Sequence, residues 1–118
     1  MIPLKPGMSL PELQEYIADM KKRRGFQVNL EKEFILLVEE VGELAKELKQ
    51  VWRAERKLKG DDAEKRLAAI EANKKQLEGE LADCLIYLLN IGNLLNIDLQ
   101  KALIEKEQLN ETRRWDRL

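Results

Sequence analysis

Histidine is absent from this chain of 118 residues, and cysteine occurs once, at Cys84. The first absence removes Ser-His-Asp and Cys-His chemistry, zinc sites built on imidazole, and haem with a proximal histidine. The second leaves no internal disulfide, which fits a reducing cytoplasm, the expected location. All three prolines lie within the first eleven residues, so the remainder is free to be helical. Aromatics make up only 5%, which implies an aliphatic core. Neither sign of charge dominates, since 21 basic side chains meet 22 acidic ones. That balance argues against nucleic acid as a partner, because a coat needs a basic excess. The longest apolar run, Cys84 to Leu89, is far short of the ~20 residues that span a bilayer, so no membrane partner is expected. The segment around Lys5, Pro6 and Gly7 has no apolar stretch of signal-peptide length. Catalysis here must run on carboxylates, amines, guanidinium groups or a hard metal ion.

What the chain does have is charge and leucine. Charged residues reach 36%, against about 25% in ordinary domains. Ser9 and Glu12 have capping-box spacing, which starts a first helix near Leu10, and Leu10, Leu13, Ile17 and Met20 follow at helical spacing up to a stop at Gly25. Asn29 is a good N-cap for a second helix from Leu30 to about Lys59, with a stripe of Phe34, Leu37, Val38, Val41, Leu44, Leu48 and Val51. Gly60-Asp61-Asp62 supplies a turn and a new cap. A third helix is expected from about Ala63 to Asn96, and a fourth from Asp98 to roughly Arg114. The expectation is a single all-α domain over residues 1–118, with a four-helix core and a long antiparallel hairpin. Residues 53–76, mostly Lys, Arg, Glu and Asp, are expected to form a solvated helical extension or a mobile arm. Phe26 is expected in the core, and Cys84 as a small buried hydrophobe.

Two clusters place charge where the apolar pattern expects core. Glu40 and Glu43 lie at i, i+3 on the second helix, and Glu80 and Asp83 repeat that spacing on the third, with Tyr87 one turn on. Glu40 and Asp83 are equidistant from a point between Asp61 and Asp62, and so are Glu43 and Glu80. In an antiparallel hairpin those pairs face each other. Gly42 and Gly79 beside them would allow backbones or a ligand to approach closely. Four facing carboxylates form a hard-oxygen site suited to Mg²⁺, with Mn²⁺ as a substitute. The alternative is that these are surface acids pairing with lysine and arginine. On the fourth helix Lys106, Asn110 and Arg113 occupy i, i+4 and i+7, a basic, amide-bearing face of the kind a polyphosphate needs; the alternative there is a solvated helix end.

Glu39-Glu40-x-x-Glu43, then Glu80-x-x-Asp83, then Lys106 and Asn110-x-x-Arg113 resemble the MazG-like nucleoside triphosphate pyrophosphohydrolases of the all-α NTP pyrophosphatase superfamily. Leu37 to Ala45 is close to the signature stretch of that family, Arg24-Gly25-Phe26 is also typical, and the resemblance covers about residues 10 to 115. The connection from Glu43 to Glu80 is longer than usual for the family. The resemblance implies hydrolysis of an NTP or dNTP to the monophosphate and pyrophosphate. It assigns Glu40, Glu43, Glu80 and Asp83 to the metal and Glu39 to the attacking water. Lys106, Asn110 and Arg113 fall to the phosphates, with Tyr87 and Trp52 as candidates to touch base or sugar. Relatives acting on phosphoribosyl-ATP or dUTP, and a non-enzymatic helical interaction module, are the competing expectations. The long amphipathic helices have more apolar face than the chain can cover, which predicts a homodimer or a dimer of dimers.

Overall fold

The computed structural model describes residues 1–113. It contains four α-helices: α1 (Leu10–Arg23), α2 (Leu30–Lys57), α3 (Asp62–Leu94) and α4 (Leu99–Asn110). No strand occurs among the described residues, so the fold is all-α as its sequence pattern requires. None of these helices is long and apolar enough to cross a membrane. The chain divides into two compact units, Met1–Leu30 with the segment from Leu89 onward, and Glu31–Leu88.

In the first unit, helix ends are fixed by local hydrogen bonds. The Ser9 hydroxyl accepts from the Glu12 amide at 3.2 Å while the Ser9 amide donates to the Glu12 carboxylate at 3.0 Å, which closes the capping box. Just past the end of α1 and its cap Arg24, Gly25 takes a φ of 67° that suits a residue without Cβ, and the Phe26 amide then donates back to the Lys21 carbonyl. α3 ends by the same device with asparagine in place of glycine. Asn96 takes φ 56°, and the Ile97 amide donates to the Gly92 carbonyl at 2.8 Å. Asp98 then caps α4 by accepting from the Lys101 amide.

The Gln14 side chain ties this unit together. Its Nε2 donates to the Ile97 carbonyl at 2.8 Å and to Asn93 Oδ1 at 3.3 Å, and its Oε1 accepts from the Leu99 amide. The Asn93 amide returns a bond to the Gln14 carbonyl. Gly92 makes room for this network, because a Cβ there would lie 2.9 Å from Gln14 Nε2 and 3.0 Å from Leu99. Ile17, Met20 and Leu89 are buried in this unit.

The second unit is the antiparallel hairpin of α2 and α3. Gly60 turns the chain at φ 121°, and the Asp61 carboxylate accepts from the Glu64 amide at 2.8 Å. Arg66 donates to Glu55 across the hairpin at 2.9 Å. Val51 and Ala69 are buried, while Leu67 and Ile70 are exposed.

Several expectations need correction. α4 stops at Asn110, because the amides of Glu111, Thr112 and Arg113 fold into a closing turn on Glu107, Leu109 and Asn110. The expected end at Arg114 lies outside the described residues. Phe26 is 51% exposed, with the Lys21 ammonium 5.2 Å above its ring, and Cys84 is half-buried. A Cβ on Gly42 or Gly79 would meet nothing within 4 Å, so neither serves close approach within the chain.

Candidate functional site

Within the hairpin, α2 presents Glu40 and α3 presents Glu80 and Asp83, one helical step apart. One carboxylate oxygen from each lies within 4.8 Å of the others. Glu40 and Glu80 are half-buried and Asp83 is exposed. The site is therefore open on one side and shielded on the other. Glu80 Oε2 is cut off from solvent and has no hydrogen-bond partner among the described residues.

This crowding alters protonation. Glu40 is held above the ordinary carboxylate value, first by burial, then by the Glu80 carboxyl alongside it and by the charges of Asp83, Glu80 and Glu43. The Tyr87 phenol is also pushed up, by burial first and then by the charges of Glu33, Glu40, Asp83 and Glu39. Burial raises the Cys84 thiol as well, with Glu40, Glu80 and Asp83 adding to it, so it stays a neutral thiol instead of a reactive thiolate.

Three converging carboxylate oxygens, with a further sign of crowding in the buried Glu80 Oε2, are hard donors of the kind that fits a divalent cation. Histidine-based ligation is impossible, as the composition requires.

The other expected site residues fall in different places. Glu43 is exposed and outside the converging group, though its charge is felt by Glu40. Glu39 is exposed on the neighbouring face of α2. Trp52 is 53% exposed, with the Arg56 guanidinium 5.3 Å above its ring. It stands twelve residues, about 18 Å along the axis, from Glu40, and is not beside the carboxylates. It lines a groove of about 390 Å³ with Leu48, Val51, Arg66 and Ile70. Lys106 and Asn110 are on α4, in the first unit, where Asn110 donates to Glu107 at 2.8 Å. Arg113 lies past the end of α4, so the expected helical face stops at Asn110. One buried acid escaped sequence reasoning. Glu33, only 3% exposed, sits seven residues before Glu40 on the same face of α2, and that two-turn spacing was the available signal.

A helical hairpin that brings three carboxylate oxygens together defines an all-α protein with a candidate site for a divalent cation. The chain belongs to the MazG nucleotide pyrophosphohydrolase domain family, whose model matches residues 29–109. No curated protein matches it.

Proposed function

We propose that this chain is a Mg²⁺-dependent nucleoside triphosphate pyrophosphohydrolase. It would cleave an NTP or dNTP to the monophosphate and pyrophosphate in nucleotide-pool housecleaning, with Mn²⁺ as a substitute cofactor. The observation that carries the reading is the convergence of the Glu40, Glu80 and Asp83 oxygens within 4.8 Å. Membership of the MazG family supports the reaction class.

Glu40, Glu80 and Asp83 would hold the cation, with Glu43 one helical step away to complete the set. Bound there, Mg²⁺ supplies charge neutralisation for the phosphate oxygens and for the departing pyrophosphate. Glu39 points about 100° around the helix from Glu40, and its exposed carboxylate is assigned to orient the attacking water and accept its proton. Lys106, Asn110 and Arg113 are assigned to the phosphates for their chemistry: a point charge, an amide and a planar guanidinium fork. Tyr87, four residues after Asp83, is assigned to the sugar or base. Trp52 is left out because it stands apart from the carboxylates along α2.

The reading includes self-association as a homodimer or homotetramer. Phe34, Ile35, Val38 and Val41 on α2, and Leu81, Leu85 and Leu88 on α3, are exposed within one hairpin. Such a face is what an obligate interface covers.

The test is a panel of NTPs and dNTPs with Mg²⁺, with and without added inorganic pyrophosphatase. Phosphate that appears only with the coupling enzyme supports the proposal. Phosphate released without it, or none at all, refutes it.

A further inference from the structure

We propose that the cavity between α1 and the end of α3 is a binding site for a small polyamine. It shares no residue with the hairpin carboxylates and does not depend on the nucleotide reading. The cavity holds about 430 Å³, within the size range of small-molecule sites, and lies wholly in the first unit.

Its polar lining favours one sign of charge. Glu15 and Asp98 contribute carboxylates, and Gln14, Asn93 and Asn96 contribute amides, with no lysine or arginine in the lining among the described residues. Neither acid has a salt-bridge partner among those residues. The Glu15 carboxylate accepts no hydrogen bond among them, and Asp98 accepts only from the Lys101 amide as the cap of α4. α3 ends at this cavity after 33 residues and has no basic side chain in its last turn. The negative end of its dipole is therefore uncompensated from within the helix.

The hydrogen-bonding capacity that remains is mostly acceptor. Both Gln14 Nε2 protons are taken, by Asn93 Oδ1 and the Ile97 carbonyl, and one Asn93 Nδ2 proton goes to the Gln14 carbonyl. The carboxylates, the second lone pairs of the Gln14 and Asn93 oxygens, and the Asn96 amide stay open. An anion such as phosphate meets repulsion here, whereas a positively charged ligand rich in N–H donors does not. A bare divalent ion is a poor occupant, because Glu15 and Asp98 belong to no converging group of three acids among the described residues. Pro11, Ala18 and Ile97 add apolar surface to the lining, which suits methylene spacers. Ammonium groups joined by short methylene chains meet all of these conditions.

Calorimetry with spermidine tests the assignment, in chelator and about 0.15 M salt, where diffuse surface attraction is screened. Wild type should bind one equivalent, and Glu15→Gln combined with Asp98→Asn should weaken Kd by roughly tenfold. Asparagine caps helices as well as aspartate does, so the double variant retains the start of α4. Glu40→Gln combined with Asp83→Asn, in the hairpin, should leave the affinity unchanged, and uncharged octanediol should not bind. The proposal is overturned if wild type binds no spermidine, if the cavity variant binds it as tightly as wild type, or if the loss follows the hairpin variant instead. Octanediol binding as tightly as spermidine would overturn it too. Should the double variant fail to fold, Glu15→Gln alone decides, since Glu15 is exposed on α1 and its neutralisation should still weaken spermidine several-fold.

Discussion

Neutralising Glu40 should make the metal-free protein more stable, although the side chain is half-buried and would ordinarily be costly to alter. The oxygens of Glu40, Glu80 and Asp83 lie within 4.8 Å. At that separation each like-charge pair costs about 1 kcal/mol with water-like screening and about 3 kcal/mol at an effective dielectric near 20. Asp83 is exposed, which places the pair energies toward the lower figure. Glu40→Gln removes two such pairs and retains the shape of the side chain. A net gain of about 1–2 kcal/mol is expected at neutral pH, or roughly 4–10 °C in Tm for a chain of this size. The pH dependence has a definite sign. Because the folded-state pKa of Glu40 is raised above 4.5, its favourable contribution is complete below that value and is lost as pH rises through the raised one. The advantage of Glu40→Gln should therefore vanish in acid and grow toward neutrality. With Mg²⁺ the order should reverse, since wild type gains about 2.7 kcal/mol at a hundredfold excess over Kd and the variant gains little. Thermal unfolding in chelator and in Mg²⁺, at acid and neutral pH, measures all four quantities. A variant less stable than wild type without metal, yet equally responsive to it, would refute the repulsion argument.

Gly92→Ala should cost about 1–3 kcal/mol in urea unfolding, because its Cβ strikes Gln14 and Leu99 and disturbs the Gln14 network. Gly42→Ala and Gly79→Ala should instead stabilise the isolated chain by about 0.5–1 kcal/mol, since each adds a methyl to open space in a helix. Ser9→Ala should cost about 1 kcal/mol through the lost cap. Glu12 in that cap has its pKa lowered by hydrogen bonds from Ser9, so its own support is present above 4.5 and fades as pH falls, which an acid titration of Glu12→Gln against wild type can follow. Ile35→Glu should weaken self-association measured by sedimentation, and an unchanged mass distribution would remove α2 from the interface.

Much of the fold was legible because its signals are local. Ser9, Gly25, Gly60 and Asp98 all mark helix ends by chemistry that acts within four residues. The hairpin was legible for a different reason: two antiparallel helices have one register, and equal spacing of acids from Asp61-Asp62 reveals it. Register sets the level of a residue along the hairpin but not its rotation about the helix axis. Glu43 illustrates this, being turned about 60° from Glu40 and outside the converging group. Arg113 was misplaced because no glycine or proline announces the end of α4, which closes through backbone bonds alone. Glu33 was hidden by its surroundings, one more acid in the run Glu31-Lys32-Glu33, and its two-turn spacing from Glu40 was too weak a sign to mark it as buried.

The hairpin tip also governs how this site tolerates changes of length. Glu40 and Asp83 meet because the two limbs between them and Gly60 are matched, so inserting residues into one limb alone would slide the acids out of step. Adding or deleting about seven residues on both limbs together moves the tip by two turns, roughly 10 Å, and returns each acid close to its former face. The tip is therefore a region where paired insertions and deletions can be accommodated, while any unpaired one should silence the chemistry some 30 Å away along the limb.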